Sequence, residues 1–215
     1  VTIKMVCFDW GGVILRHCRS WEEGCAAAGL TVRLDAREAS GLARRRELTR
    51  MHQTGSLGHG EYLELLREAT GGLYTVEELA RLHDAWLLDE YAGVSDVIGK
   101  LAATAHVETG LLSNTNHAHW VTHIEGPGGT AKYPTAGKLK HRHASHLMGL
   151  MKPDAEIYRE FERLTGARGG EILFFDDLED NVKAAGTLGW RGVHVDHTGD
   201  TAAQIEGALR AHGVW

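Results

Sequence analysis

The segment Cys7-Phe8-Asp9-Trp10-Gly11-Gly12-Val13 decides the fold, because an apolar run from Ile3 to Phe8 stops there at a carboxylate and turns on two glycines. A short apolar stretch closed by turn residues is the pattern of a strand buried on both faces, as in a parallel sheet. Two more stretches share it: Val107 to Leu112, ending in Ser113-Asn114, and Ile172 to Phe175, ending in Asp176-Asp177. Val193 to Val195 is a weaker fourth. Ligands of open parallel sheets bind beyond the carboxyl ends of the strands. Polar residues far apart in sequence are therefore expected to meet at one site.

Between the first two strands the apolar spacing turns helical. Ser20 to Gly29, Asp35 to Gln53, Gly60 to Thr70 and Val76 to Tyr91 each predict a helix, punctuated by Gly29, Gly55 and Gly71-Gly72. Thr75-Val76-Glu77-Glu78 has the form of a capping box opening the last of them. Four helices inserted after the first strand read as a small helical cap on an α/β core. Beyond Asn181, Ala184-Ala185 and Gly189 suggest a helix packed closely on the sheet. Glu125 to Lys140, rich in glycine and holding two prolines, reads as a long loop.

Composition narrows the partners. With 23 Lys and Arg against 29 Asp and Glu the formal charge is −6, the wrong sign for a protein whose main partner is a phosphate backbone. No apolar run reaches the roughly 18 residues of a membrane span. Three cysteines, Cys7, Cys18 and Cys25, are an odd and uneven set, which suits a reducing compartment. The chain is expected to enter its first strand without a basic-then-apolar leader. Together these predict a cytoplasmic enzyme with no nucleic-acid or membrane partner; the sequence leaves monomer and homodimer both open.

The order Asp9, Ser113, Lys152 and Asp176-Asp177 resembles the four motifs of haloacid dehalogenase-like phosphatases. Leu112-Ser113-Asn114-Thr115-Asn116, Gly149-Leu150-Met151-Lys152-Pro153-Asp154 and Phe174-Phe175-Asp176-Asp177 followed by Asn181-Val182 are similar to the subfamily with a helical cap after the first motif, sugar 1-phosphatase-like members included. Each residue alone has an ordinary explanation: a strand-end Asp as a cap, Ser-Asn as turn chemistry, a Lys as solvated surface. The ordered set is what carries the resemblance.

The resemblance implies a Rossmann-like parallel sheet flanked by helices, built from residues 1–15 and 95–215, with a helical-bundle cap domain at 16–94. It implies hydrolysis of a small phosphorylated metabolite, such as a sugar phosphate, through an aspartyl-phosphate on Asp9. Phosphoryl transfer needs an in-line nucleophile and positive charge over the equatorial oxygens. Lys152 would balance nucleophile and phosphate, and Ser113 would bond a phosphate oxygen. Asn114, Gly12 and Trp10 would border the substrate. Mg2+, which prefers oxygen ligands, would take Asp9, Asp177 and the carbonyl of Gly11, with Asp176 in support.

Position 11 departs from the family pattern. The usual second Asp, two residues after the nucleophile, serves the leaving alcohol as acid and the attacking water as base; here it is glycine. That help is typically worth 10²–10⁴-fold, roughly 3–5 kcal/mol. Three explanations stand open: another group such as His17 or Asp177 serves, the substrate carries a good leaving group such as an acyl or anomeric phosphate, or the chain binds phosphate compounds with little turnover. Metal-free haloacid dehalogenases also lack the second Asp, but their fourth motif is not an adjacent acid pair. Asp176-Asp177 therefore favours magnesium.

Other features have a structural and a functional reading. His117, His119, His123, His141, His143 and His146 crowd one window, where solvated residues compete with a zinc or nickel site. Arg44, Arg45, Arg46 and Arg50 predict an exposed face, with Glu38 and Glu47 as local partners, or an anion hold facing the site. Trp21 and Trp86 are expected in a helical core.

Overall fold

In the computed structural model, which describes residues 1–33, 39–125 and 129–215, the chain opens with β1 (Met5–Phe8) and, past the Gly11-Gly12 turn, β2 (Leu15–His17). Four helices follow: α1 (Trp21–Ala27), α2 (Ala39–Gln53), α3 (His59–Ala69) and α4 (Val76–Ala85). The chain returns through β3 (Leu87–Glu90), α5 (Val94–Ala102) and β4 (Glu108–Ser113). Then come the short α6 (His117–Trp120), β5 (His141–Ala144), the short α7 (Ser145–Met148) and α8 (Ala155–Thr165). The last elements are β6 (Ile172–Asp176), α9 (Glu179–Thr187), β7 (Arg191–His194) and α10 (Thr201–Ala211).

The main sheet has the order β5-β4-β1-β6-β7, with every pairing parallel. β1 is central and wholly buried. Helices on both faces cover it, which is why its sequence is a continuous apolar run rather than an alternating one. Val6, Phe8, Leu111, Leu173 and Phe175 pack toward one layer; Met5, Cys7, Leu112 and Phe174 pack toward the other. Phe8 pairs with Phe175 in register, their rings stacked 5.2 Å apart. That register continues one step, since the N–H of Asp9 donates to the carbonyl of Phe175 at 2.8 Å. Asp9 and Asp176 thus leave adjacent strands at the same level.

The helices α1–α4 have a core of their own, centred on Cys25, Leu48, Tyr74, Leu79 and Leu82. β2 and β3 form a two-stranded antiparallel ribbon that carries the chain out to these helices and back. Two contacts hold the ribbon to the segment between α6 and β5: the Tyr133 hydroxyl donates to the Leu87 carbonyl at 2.9 Å, and Thr135 N–H donates to Glu90 at 2.8 Å. Trp21 packs edge-on against Tyr74, and Trp86 lies at the border of the same core.

Three sequence expectations need correction. The fourth helix ends at Ala85, not Tyr91, because Leu87–Glu90 pairs with Leu15–His17 as a strand. His141–Ala144 is an edge strand hidden in the sequence by its polar residues, which an edge tolerates because only one side is paired. Pro134–Lys138, inside the expected loop, is a 3₁₀ turn. Asp35 to Glu38 of the expected second helix, and Gly126 to Gly128 of the loop, lie outside the described residues. Cys7, Cys18 and Cys25 are free and buried. No described helix is long and apolar enough to cross a membrane.

The capping box is formed as its sequence suggested. Thr75 Oγ1 accepts from the Glu78 N–H at 3.2 Å, and Glu78 Oε2 accepts from the Thr75 N–H at 3.0 Å. Thr75→Ala should therefore cost about 1 kcal/mol, lowering the midpoint of thermal unfolding by roughly 2–4 °C. Thermal melts of the two proteins check this.

Candidate active site

The strand-end residues converge. Asp9, Ser113, Asn114, Lys152 and Asp177, with Trp10 and Gly11, line one cavity of about 1050 Å³, bounded on its far side by residues of α1–α4. At its base Lys152, only 2% exposed, is held between two carboxylates: its Nζ lies 3.0 Å from Asp9 Oδ1 and 2.7 Å from Asp176 Oδ2. Asp9 Oδ1 also accepts from the Trp10 N–H at 2.7 Å. Asp176 is fully buried and saturated, accepting from Asn181 Nδ2 at 3.0 Å on both oxygens and from the Leu178 N–H at 2.9 Å. A buried charge needs such partners to be tolerated.

Asn114 fixes the lysine from behind. Its Nδ2 donates to the Lys152 carbonyl at 2.8 Å while its Oδ1 accepts from the Lys152 N–H at 2.9 Å. The amide side chain expected to border substrate is thus engaged with the backbone of Lys152. Ser145 ties the next loop down: its hydroxyl accepts from the Thr115 N–H at 2.9 Å and lies 2.5 Å from the carbonyl of Gln53 at the end of α2.

Asp9, Asp176 and Asp177 offer oxygens within 4.8 Å of one another. Asp177 Oδ2 accepts from Arg19 Nη1 at 2.5 Å, a partner from just beyond β2 that no sequence motif announced. Three carboxylates against Lys152 and Arg19 leave an excess of negative charge, and with Asp176 already saturated the oxygens of Asp9 and Asp177 are the side-chain donors that suit a hard divalent cation. Burial, the largest effect, raises the Asp9 pKa from its ordinary 3.8 to about 7, with Asp176 and Asp177 adding to it and Lys152 opposing. Lys152 is held protonated by the same two aspartates against the cost of its burial.

The two glycines differ in what they permit. Gly12 has φ +78°, and a Cβ there would lie 2.2 Å from Asp177 Cγ, so only glycine fits beside the acid pair. A Cβ on Gly11 would lie 2.8 Å from Cδ2 and 3.1 Å from Nε2 of His17. The His17 ring therefore stands against the face where the family pattern has its second carboxylate. His17 Nδ1 lies 2.9 Å from the Cys18 carbonyl, so it is the donor and Nε2 carries the lone pair. Burial, followed by the charge of Arg19, lowers the His17 pKa and keeps the ring neutral at pH 7.

The remaining sequence candidates separate. Trp10 is 2% exposed, its ring edge-on to Trp120, His123 and Tyr133, so most of it is core beneath the cavity. Of the arginines, Arg44 is a surface residue paired with Glu47, whereas Arg45 is 6% exposed and lines the cavity with Arg46 and Arg50. The histidines of 117–146 do not gather into a metal-ligating group among the described residues. His141 pairs with Glu108, His143 packs on Phe161, and His123 is buried against Trp120 rather than solvated. His119 instead stacks on His83 of α4.

The raised Asp9 pKa has a signed consequence for stability without divalent metal. Below about pH 4 the carboxyl is protonated whether folded or not, and its contribution is fully present. As pH rises toward about 7 the unfolded chain releases the proton first, so the folded state loses up to about 4 kcal/mol. Asp9→Asn should remove that slope. Urea unfolding of both proteins in chelator from pH 4 to 8 should show the variant gaining on the wild type as pH rises; parallel curves would contradict it.

Similarity to known proteins agrees with this geometry. The model of the haloacid dehalogenase-like hydrolase family matches residues 3–189. Over 58 residues the chain is 36% identical to Phosphatase MT3486 of Mycobacterium tuberculosis, a match spanning 27% of this chain and 27% of that protein. A crystal structure of the haloacid dehalogenase family enzyme bt-2542 of Bacteroides thetaiotaomicron in complex with magnesium and inorganic phosphate superposes with a TM-score of 0.71, at 22% identity over 92% of this chain and 96% of that one. That of a predicted family hydrolase from Porphyromonas gingivalis gives 0.73, at 25% identity over 98% and 99%. Dehalogenases share the fold at TM-scores of 0.58 to 0.61 and 16 to 19% identity. With the family model matched along most of its length, and its motif residues gathered at one sheet edge, the chain belongs to the haloacid dehalogenase-like hydrolases.

Proposed function

We infer that this hydrolase is a magnesium-dependent phosphatase of a small phosphorylated metabolite, with Asp9 as nucleophile. The observation that carries the reading is the ion-paired chain Asp9–Lys152–Asp176 beside Asp177, with Asp9, Lys152 and Asp177 lining one pocket and Asp176 buried behind them. With Oδ1 held by Lys152 and the Trp10 N–H, Oδ2 of Asp9 is the oxygen left to attack phosphorus. The bond from phosphorus to the leaving oxygen breaks as the aspartyl-phosphate forms. Water then attacks the same phosphorus, freeing inorganic phosphate and restoring Asp9.

Asp9, Asp177 and the Gly11 carbonyl are the residues that would hold Mg2+, with Asp176 behind them orienting Lys152. The ion would spread the charge of the transferring phosphoryl group. The Ser113 hydroxyl and the main-chain N–H of Asn114 would bond its oxygens, the Asn114 side chain being engaged with the Lys152 backbone. Residues 16–94, whose four helices wall the cavity opposite Asp9, act in this reading as the cap domain. Arg45 and Arg46 there supply positive charge for the rest of an anionic substrate.

His17 is the side chain positioned to replace the acid/base function absent at Gly11. Its Nε2 faces the space above Gly11 with its lone pair available. A neutral imidazole suits the second half of the reaction, taking a proton from the attacking water. It cannot donate one to a leaving alcohol, which favours substrates with good leaving groups, such as acyl or anomeric phosphates. Dehalogenation is the weaker reading, because halide displacement has no use for a carboxylate cluster suited to a dication.

Two measurements test this. Release of inorganic phosphate from a panel of phosphorylated metabolites should require Mg2+ and fall to background in Asp9→Asn. No release from any of them would leave a phosphate-binding protein, and halide release without metal would leave a dehalogenase. His17→Ala should lower kcat by about 10²–10⁴-fold where dephosphorylation of the enzyme limits the rate; unchanged kcat under those conditions would remove His17 from the chemistry.

A further inference from the structure

A second group of potential ligands lies across the cavity from Asp9, in the helical layer. His52 is in the last turn of α2, His59 opens α3, and His83 is in the last turn of α4. The tight connection through Gly55 brings the first two together, and α4 packs against α3 to deliver the third. One ring nitrogen from each lies within 4.8 Å of the others. His59 Nδ1 and His52 Nε2 are 3.4 Å apart. That is the edge of a tetrahedron whose metal–nitrogen distances are about 2.0–2.1 Å.

The bonding of these rings points to a ligand. His83 is 7% exposed, and among the described residues neither of its ring nitrogens has a hydrogen-bond partner. Asp84 lies 3.9 Å from Nδ1, beyond hydrogen-bond reach. A neutral imidazole always carries one N–H, so a buried ring with two unmet nitrogens is an unfavourable arrangement that natural structures rarely leave unexplained. Its neighbour shows the contrast. His119, stacked on His83 at 3.9 Å, directs Nε2–H to the His83 carbonyl at 2.9 Å and receives Asn116 Nδ2 on Nδ1 at 3.3 Å. It is satisfied and serves as a support, while Tyr62 stacks on His52 at 4.2 Å from another side.

We propose that His52, His59 and His83 form a second metal site, a three-imidazole cradle for a zinc-class divalent ion whose remaining coordination position faces the cavity shared with Asp9. Imidazole nitrogens without carboxylate or thiolate select borderline transition metals over Mg2+. Three protein ligands with one position left open is the arrangement of zinc sites that also bind a small molecule. His52 and His83 both line the cavity, so the fourth ligand would come from its occupant or from water. Burial and the neighbouring imidazoles push the His52 pKa down to about 4 and that of His83 lower still. The rings are therefore already in the neutral form that binds metal.

The site stands apart from the phosphatase reading and is tested without turnover. Untagged full-length protein, in excess Mg2+ to fill the carboxylate cluster, is titrated with Co2+ while its visible absorption is followed. One equivalent should bind with the intense bands of a four-coordinate ion, and Zn2+ should displace it. His59→Ala, at a half-buried position where folding is safest, should weaken Co2+ binding by at least about 10–100-fold, the range that even supporting residues command. His83→Ala should do the same, while Asp9→Asn and the change His141→Ala on the edge strand β5 should leave the spectrum intact. Undiminished binding by His59→Ala, bands lost in Asp9→Asn, or a folded wild type giving no four-coordinate spectrum would each overturn the proposal.

Discussion

A buried ammonium is among the most demanding groups a fold can enclose, and the arrangement of this site follows from enclosing Lys152. Its charge is balanced by Asp9 from β1 and Asp176 from β6, and its backbone is clamped by Asn114 beyond β4. Asp176 is in turn completed by Asn181 of α9 and by the Leu178 N–H. Removing one member of a buried pair typically costs 3–5 kcal/mol, since the other charge is left uncompensated. Four loops at one sheet edge are therefore fixed relative to each other by a single electrostatic requirement. The same requirement leaves Asp9 and Asp177 facing the cavity, because Asp176 has no oxygen to spare.

The helical layer answers to a different constraint. Its core is separate from those of the sheet, and a two-stranded ribbon joins it to them. Contacts across the cavity are consequently polar: Arg19 reaches Asp177, Ser145 meets the last carbonyl of α2, and Arg50 approaches Asp154 at 3.4 Å. Exposed ion pairs such as the last contribute little. Position within the layer is set instead by the ribbon, pinned through Glu90 and Leu87 to Thr135 and Tyr133.

How much of this was legible in sequence depended on burial and on range. β1, β4 and β6 are covered on both faces, so their residues had to be apolar and their polar ends stood out. β5 is an edge strand reading His-Arg-His-Ala, and nothing in a single-sequence pattern separates that from loop. Leu87 to Glu90 continues the apolar spacing of α4, and only pairing with Leu15 to His17 makes it a strand. Asp9, Ser113, Lys152 and the acid pair were visible because their order matches a family pattern. Arg19 was not, since its role depends on where β2 ends relative to β6. His52, His59 and His83 have no ligand-like spacing, and only the packing of α2, α3 and α4 brings them together.

Position 11 joins the two constraints. The family pattern keeps nucleophile and proton carrier two residues apart on one turn, fixed by the sheet. Here the turn supplies only backbone at Gly11, and the ring that packs against it, His17, belongs to the ribbon that carries the helices. If that imidazole moves the proton, its alignment with Asp9 depends on how the ribbon is seated rather than on the strand end alone. An imidazole already neutral, with Nδ1 committed to the Cys18 carbonyl, can accept but has no proton to give on the side of the cavity. In the proposed reaction the two halves of hydrolysis would thus separate: departure of the first product would rest on the substrate's own leaving group, and the attack of water on His17.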